Sequence, residues 1–314
     1  MKWISMITLA GLLSLLPLGG QTEGGAAYLF TSFRDNGQDG LHLAYSKDGL
    51  HWTALKNDLP FLAPLVGGDK LMRDPCLILG PDNVFHMVWT VSWKEKSVGI
   101  AHSKDLIHWS EQKAIPVMAH EATVRNTWAP EIFYDDVKQQ YLIFWASTIP
   151  GRFPETETTG DDQLNHRIYC TTTKDFETYT PTALFYDPGF NVIDSTIVKK
   201  ADGEYVMFLK DETRTPPQKN IKIAYAAKPT GPWGPASEPI TGDYWAEGPT
   251  AIQIAGEWIV YFDKYTLHKY GALRSKDLKT WEEVSDQLVY PKGMRHGSVL
   301  QVPQSVLDGL LALE

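Results

Sequence analysis

Short apolar segments that alternate with polar residues recur along the chain from Tyr28 onward. In five of them an alternating strand ends in Lys followed by Asp or Pro, and an aromatic residue stands four positions after that Asp or Pro. This pattern predicts a strand, a tight polar turn and a second strand that opens on the aromatic residue. The five lysines, at positions 47, 104, 174, 228 and 276, lie 48 to 70 residues apart. A period of this size in an all-strand sequence predicts a β-propeller.

A second pattern interleaves with the first and marks the start of one short apolar strand in each unit. Its copies are Arg73-Asp74-Pro75, Trp128-Ala129-Pro130-Glu131, Ile193-Asp194-Ser195, Trp245-Ala246-Glu247-Gly248-Pro249 and Arg295-His296-Gly297-Ser298. One unit then contains an inner strand, a turn and three further strands, predicted at Cys76–Leu79, Gly80–Asn83, Val84–Thr90, Val98–Ser103 and Trp109. Full units begin at residues 74, 129, 194 and 248.

The two ends of the chain complete a fifth unit. The first strand, Tyr28–Phe33, reads as a second strand without an inner strand before it. The last one, Ser298–Val302, reads as an inner strand followed only by a short helix-like tail. The sequence therefore predicts an all-β, five-bladed β-propeller closed by pairing of the N- and C-terminal strands in one blade. Such closure leaves no open sheet edge.

Strand direction predicts which loops share a face with the inner-strand starts. The loops that join second and third strands return to that face, at residues 33–39, 92–96, 148–166, 211–218 and 264–269. The Lys-Asp turns fall on the opposite face. The longest loop, residues 148–166, is either a lid or rim of a pocket or a solvated insertion.

Three carboxylates, Asp74, Asp194 and Glu247, are expected around one funnel. Two carboxylates on opposite sides of a glycosidic bond suffice to hydrolyse it, one as acid and one as base or nucleophile. Glu247 follows Trp245 closely, and burial beside an indole is expected to raise its pKa toward that of a general acid. A third carboxylate nearby raises that pKa further by like-charge repulsion.

Other residues of the same pattern are candidates for sugar binding. An Arg hydrogen-bonds vicinal hydroxyls, and a His orients a carboxylate or contacts an axial water or ion. Each candidate also has a structural interpretation: Asp-Pro is a common turn, Asp194-Ser195 caps a strand end, and Glu131 forms a wall. The expected substrate-binding residues are Phe33, Arg73, Trp128, Glu131, Trp245, Arg295 and His296.

These motifs, in this order from Tyr28 to Val302, resemble those of glycoside hydrolase family 43. The resemblance implies a five-bladed propeller that hydrolyses arabinofuranosides, xylosides or galactosides with inversion. By the same resemblance Asp74 is the general base, Asp194 the pKa modulator and orienter, and Glu247 the general acid. In many members the base lies in the first strand of the mature chain, which here holds Phe33-Arg34-Asp35, so Asp35 is a second candidate for the base. No cofactor is required, and the resemblance adds a structural calcium near His296.

Three alternatives stay open. A retaining, fructan-cleaving propeller uses similar acids, but its acid lies in Glu-Cys rather than Glu-Gly-Pro. A five-bladed phosphorylase needs a cationic phosphate pocket, for which only Arg73 and Arg295 are evident. A non-catalytic sugar-binding propeller has the same fold without turnover.

Composition and the chain start limit partners and location. The 314 residues carry a net charge of −9, which argues against nucleic acid or an anionic membrane as partner. Residues 1–20, with Lys2 before an apolar run, read as a cleaved signal peptide, so an exported protein, periplasmic or extracellular, is expected; a membrane anchor is the alternative. Residues 21–314 are then one catalytic domain, expected to be a monomer. The two cysteines, Cys76 and Cys170, are expected as separate free thiols.

Overall fold

In the computed structural model, which describes residues 27–313, the Lys-Asp turns form through local side-chain hydrogen bonds. The Gly49 N–H donates to Ser46 Oγ at 2.9 Å, and the Leu50 and His51 N–H groups donate to Asp48 Oδ1 at 2.8 and 2.9 Å. The same bonds recur in the turns at residues 103–108, 173–178 and 275–280. The hydroxyl and the Asp therefore build the turn, whereas the intervening Lys is exposed.

The described part of the chain contains nineteen strands. The strands are β1 (Ala27–Ser32), β2 (His42–Ser46), β3 (Thr53–Ala54), β4 (Arg73–Leu79), β5 (Phe85–Thr90), β6 (Val98–Ser103), β7 (Lys113–Ile115), β8 (Trp128–Asp135), β9 (Gln140–Thr148), β10 (His166–Thr173), β11 (Ala183–Tyr186), β12 (Val192–Lys199), β13 (Tyr205–Asp211), β14 (Asn220–Ala226), β15 (Glu247–Ile254), β16 (Glu257–Lys264), β17 (Lys269–Ser275), β18 (Glu282–Glu283) and β19 (Val299–Val302). A helix, α1 (Gln304–Leu311), follows. Short 3-10 turns lie at Lys56–Asp58, Pro154–Thr156, Asp161–Gln163, Tyr265–Leu267 and Ser285–Gln287.

The strands form five antiparallel sheets in a ring, so the predicted five-bladed β-propeller is confirmed. Four sheets follow chain order: β4 to β7, β8 to β11, β12 to β14, and β15 to β18. The fifth has the order β19-β1-β2-β3, and its first pair places Phe30 opposite Val299 and Ala27 opposite Val302. Strands from both ends of the described chain thus share one blade.

The outermost strands differ from the prediction. They begin one to four residues after the aromatic residue rather than on it; Trp109, for example, makes only an isolated bridge to Ser103, and β7 starts at Lys113. The sheet of β12 to β14 has no fourth strand. The segment after its turn contains prolines at positions 229, 232, 235 and 239, and a proline has no N–H to donate to a ladder.

Aromatic and aliphatic side chains fill the spaces between adjacent blades. Phe30 of β1, for example, meets Trp52 and Tyr261 edge to face, with ring centroids 5.2 and 5.3 Å away. Two more tryptophans, Trp89 and Trp145, are fully buried. Much of the aromatic content therefore serves the core, where edge-to-face pairs add to the stabilisation from burial.

Both cysteines are free thiols, as predicted: Cys76 lies on β4 and Cys170 on β10, in different blades. Across residues 27–313, no helix has the length and apolar character that crossing a membrane requires. The expected signal peptide, residues 1–20, lies outside the described residues.

Candidate active site

Four inner strands begin with the same backbone feature, a β-bulge. On β4, Arg73 pairs with Thr90 but Cys76 pairs with Val88, so one extra residue is inserted. The same shift occurs at the starts of β8, β12 and β15. The second residue of each bulge has positive φ: Asp74 52°, Ala129 47°, Asp194 51° and Gly248 57°. A bulge bends its strand and re-aims the side chains at that point, and Asp tolerates positive φ better than most residues.

The fifth inner strand has the same layout just before β19. Arg295 bridges to Phe33, and the Thr31 N–H donates to the Ser298 carbonyl at 2.9 Å. This register gives Arg295 the position of Arg73, and His296 the position of Asp74. Glu247 stands one place earlier in the repeat than the two aspartates, so the three candidate acids come from two positions of the bulge.

The bulges surround a cavity of about 450 Å³. Seven predicted site residues line it: Arg73, Asp74, Trp128, Asp194, Glu247, Arg295 and His296. Asp35, the second candidate for the base, lines it as well. Loops that join second and third strands supply Asp35, Asn36, Trp93 and Glu212 to the cavity wall, which places these loops on the predicted face.

One carboxylate oxygen of Asp74 is held by a hydrogen bond, and the other is in contact with His296. Thr90 Oγ1 donates to Asp74 Oδ2 at 2.7 Å and itself accepts the Ala129 N–H at 2.8 Å. Oδ1 is buried and has no hydrogen-bond partner among the described residues. A buried carboxylate oxygen needs a donor, so Oδ1 is the oxygen of this group that is available to a water or a sugar hydroxyl.

Glu247 is held between two cations. Lys210 Nζ donates to Oε2 at 3.0 Å, and an Arg295 terminal N–H donates to Oε1 at 2.9 Å. Arg295 is fixed in turn by Asp263, which accepts its Nε–H at 2.6 Å. Burial acts to raise the pKa of Glu247, but Lys210, His296 and Arg295 outweigh it and lower the pKa to about 2. The expectation of a raised pKa is therefore wrong for the free protein.

Asp194 has the opposite shift. Burial raises its pKa to about 6, against the effects of His296 and Lys210, and Glu247 and Asp74 raise it further. Its Oδ2 accepts the Gly248 N–H at 3.0 Å, which fixes the backbone directly after Glu247. Below about pH 6 the free protein therefore carries a proton on Asp194, whereas Glu247 is ionised.

His296 lies between the candidate base and the candidate acid. Its Nε2 is 3.2 Å from Asp74 Oδ1 and 3.7 Å from Glu247 Oε1. These two oxygens are therefore no further apart than the sum of the two contacts, 6.9 Å. The histidine ring also meets the ring of Phe33 edge to face at 5.7 Å.

Three predicted sugar-contacting residues do not line this cavity. Phe33 is fully buried and supports Arg73, whose guanidinium lies 4.7 Å from its ring centre. Trp245 packs against Tyr265 at 6.0 Å, and the Arg214 guanidinium lies 5.0 Å from its ring centre. Glu131 lines a narrow axial channel of about 10 Å³ next to the cavity, and its role as a wall or supporting residue stays a prediction.

Two charged residues of the cavity wall, Lys210 and Glu212, were not predicted from the sequence. Lys210 lies on β13, directly after the apolar run at residues 205–209 and before the final Asp211. It pairs with Ile193, at the bulge of β12. A signal was available, because a lysine directly after the apolar run of a second strand pairs with the first residue of the neighbouring bulge.

The surroundings of His296 bear on the expected calcium. Across the described residues, no group of three or more His, Cys, Asp or Glu side chains is placed to hold a metal ion. The two carboxylates nearest His296 have Thr90, Lys210 and Arg295 as their partners. The structural calcium near His296 that the family resemblance suggests therefore stays a prediction.

Comparison with known proteins identifies a family. A family model described as "Probable glycosyl hydrolase domain", related to glycoside hydrolase family 43, matches residues 23–308. A segment of 124 residues is 27% identical to an α-L-arabinofuranosidase from Bifidobacterium longum subsp. longum. That segment is 37% of this chain and only 12% of the relative's length.

Solved structures share the fold at low identity. An α-L-arabinofuranosidase from Lactobacillus brevis aligns over 68% of this chain and 72% of its own, with 19% identity and a TM-score of 0.50. An exo-β-1,3-galactanase from Phanerochaete chrysosporium aligns over 68% of this chain and 49% of its own, with 14% identity and a TM-score of 0.52.

Proposed function

Because the chain belongs to the glycosyl hydrolase family related to glycoside hydrolase family 43, we propose that it cleaves arabinofuranosyl, xylosyl or galactosyl linkages in plant-type polysaccharides or oligosaccharides. The arabinofuranosidase and galactanase relatives support the arabinofuranosyl and galactosyl members of this range. The observation that carries the proposal is the arrangement of Asp74 and Glu247 on either side of His296 at the wall of one cavity. Two carboxylates across such a space are what glycoside hydrolysis requires.

Asp74 is the base in this proposal. Its Oδ1, which lies beside His296 and makes no hydrogen bond among the described residues, takes a proton from water, while Thr90 holds the other oxygen and fixes the carboxylate plane. Asp35 is the alternative, because it also lines the cavity. The direct proximity of His296 to both Asp74 and Glu247 favours Asp74.

Glu247 is the acid, and it shares one proton with Asp194. In the free enzyme that proton is on Asp194, whose raised pKa of about 6 retains it under mildly acidic conditions. When a sugar occupies the cavity, its hydroxyls compete for the N–H groups of Arg295, which weakens the cationic hold on Glu247. Glu247 then takes the proton and gives it to the leaving oxygen. Interacting acids of this kind titrate as a pair.

A panel of aryl α-L-arabinofuranosides, β-xylosides and galactosides tests the activity. We expect turnover of at least one member, and binding without turnover would indicate a sugar-binding propeller instead. Turnover that requires inorganic phosphate would indicate a phosphorylase.

Glu247→Gln should lose most activity on substrates with poor leaving groups and less on activated aryl glycosides, since the acid matters most for the least stable alkoxide. Equal losses would remove Glu247 as the acid.

Product stereochemistry tests the inverting mechanism. Inverting enzymes separate their carboxyl groups by roughly 6.5–9.5 Å, and retaining enzymes by ~5–5.5 Å. The bound of 6.9 Å on one oxygen pair overlaps both geometries, so proton NMR of the first product decides. We expect the inverted anomer. A retained anomer, or a glycosyl-enzyme trapped on Asp74, would assign the chain to the fructan-cleaving mechanism.

Location and assembly belong to the same proposal. A cleaved signal peptide at residues 1–20 exports the enzyme to the periplasm or the extracellular space, where plant-type polysaccharides are found. Residues 21–314 act as one catalytic domain and as a monomer. Mass spectrometry of the mature N-terminus and light scattering of the purified protein test these two statements.

A further inference from the structure

The ion pair on Glu247 continues outward through a second carboxylate. Lys210 is almost fully buried on β13, with 3% of its surface exposed. Its Nζ lies 3.0 Å from Glu247 Oε2 and 2.6 Å from Glu212 Oε2. Two carboxylates therefore share one buried ammonium group, and the position of Lys210 depends on the balance between them.

A second buried lysine holds the outer carboxylate. Lys219, with 1% of its surface exposed, places Nζ 2.5 Å from Glu212 Oε1 and 2.7 Å from Asp161 Oδ2. Asp161 belongs to the long loop of residues 148–166 and is half exposed. The Arg214 N–H donates to the Thr159 carbonyl at 2.6 Å, so the backbone of this loop is attached at the same place. The charges alternate from the cavity to the surface.

We propose that Lys210 is a positioning residue for the reaction, and that the buried relay Glu247–Lys210–Glu212–Lys219 connects the candidate acid to the long loop at Asp161. The proposal rests on the proposed function, because it assigns Lys210 a part in controlling the proposed acid. Lys210 holds the Glu247 carboxylate in place and ionised until a substrate arrives. Glu212 and Lys219 set how strongly Lys210 is drawn toward Glu247. The long loop is then neither a lid nor a solvated insertion but the outer anchor of the relay.

Several other charged or titratable groups surround Glu247, and the test must separate them from Lys210. Arg295 is the second cation on the carboxylate itself. The remaining groups that act on Glu247 or on its partners are Asp74, Asp194, Glu212, Asp263, Tyr265 and His296. A variant that replaces a single lysine of the relay leaves all of these residues in the sequence.

The test measures kcat/KM as a function of pH and follows the alkaline limb, where kcat/KM falls as pH rises. Removing an adjacent cation makes a carboxylic acid harder to ionise, so Lys210→Met should move this limb to higher pH by about one unit or more. Lys219→Met should move it in the same direction by less, because Glu212 then draws Lys210 away from Glu247. A limb that stays in place in Lys210→Met would overturn the proposal.

Lys222→Met is the matched control. Lys222 is a neighbouring, largely buried lysine on β14 whose partner is Asp211, at 3.1 Å, and it lies outside the relay. We expect its alkaline limb to match that of the wild type. A shift as large as that of Lys210→Met would mean that overall charge, rather than the relay, sets the limb.

Two further measurements guard against misfolding and against failure of the proposed function. The charge-balanced variant Lys210→Met/Glu212→Gln should fold, since it removes the buried cation together with one of its carboxylates, and should move the limb in the same direction. Carboxyl ¹³C NMR titration, with the Glu247 signal assigned by Glu247→Gln, follows the same ionisation without any substrate. If the wild type cleaves no glycoside but Lys210→Met still shifts the Glu247 titration to higher pH, the relay stands and the proposed reaction falls. An unshifted titration overturns the relay.

Discussion

Replacing Glu131 by Gln should stabilise the protein near neutral pH and leave its stability almost unchanged in acid. Glu131 sits on β8 beside the axial channel, and its Oε2 accepts hydrogen bonds from Cys76 Sγ at 3.2 Å and Thr196 Oγ1 at 3.0 Å. Burial raises its pKa from the usual 4.5 to about 8; the two hydrogen bonds oppose this shift, and the charges of Asp194 and Asp74 add to it. The folded protein therefore holds Glu131 protonated at pH 7.

The sign and size of the effect follow from proton linkage. A raised folded-state pKa gives stability that is fully present below about 4.5 and is lost as pH rises toward 8. Each pKa unit corresponds to about 1.4 kcal/mol, so from pH 4.5 to pH 7 the wild type loses about 3 kcal/mol through this group. The channel of about 10 Å³ has room for one water, which lowers the expected figure to about 2 kcal/mol. The glutamine of the variant does not ionise, and its amide oxygen accepts the same two hydrogen bonds.

Urea denaturation followed by tryptophan fluorescence at pH 5, 6, 7 and 8 measures the difference. The free energy of unfolding of Glu131→Gln should exceed that of the wild type by an amount that grows with pH. Glu238→Gln, at an exposed carboxyl, is the control and should show no such trend. Parallel pH curves for Glu131→Gln and the wild type, or a loss of stability at pH 7, would refute the assignment of a protonated Glu131.

Three further outcomes test the site and the ring. Gly248→Ala places a Cβ about 2.2 Å from His296 and should abolish most activity and lower the Tm, whereas Gly256→Ala, also at positive φ but with open space around it, should cost only a modest drop in Tm. kcat/KM should fall as pH rises through about 6, because the Asp194–Glu247 pair then loses its proton; a flat profile up to pH 8 would contradict the shared proton. Deleting residues 297–314 removes β19, opens an edge on β1, and should reduce solubility in a sedimentation assay.

The parts of the fold that the sequence predicts are those set by neighbouring residues. The Ser46 and Asp48 turn bonds span two or three residues, so their motif repeats visibly in the sequence. The inner-strand starts are equally readable, because each bulge places its functional residues side by side. The fourth strands are harder to predict from the sequence. A two-residue strand such as β3 depends on pairing with the neighbouring strand rather than on its own sequence.

The charges that set the pKa of Glu247 could not be predicted from neighbouring residues in the sequence. The cations on Glu247 come from positions 37 and 48 residues away in the chain, Lys210 and Arg295. The nearby indole of Trp245 suggested a raised pKa, but that ring packs against Tyr265. A pKa depends on the charges that the fold brings together, and sequence proximity to an apolar side chain is a poor guide to them.

The position of β19 ties the completion of synthesis to the completion of the site. Every other strand precedes β19 in the chain, so Asp74, Asp194, Lys210 and Glu247 leave the ribosome before Arg295 and His296 do. A chain that ended before residue 295 would carry the carboxylates but would lack Arg295, which donates to Glu247, and His296, which lies between Asp74 and Glu247. The two side chains that complete the cavity wall thus stand directly before the strand that closes the ring.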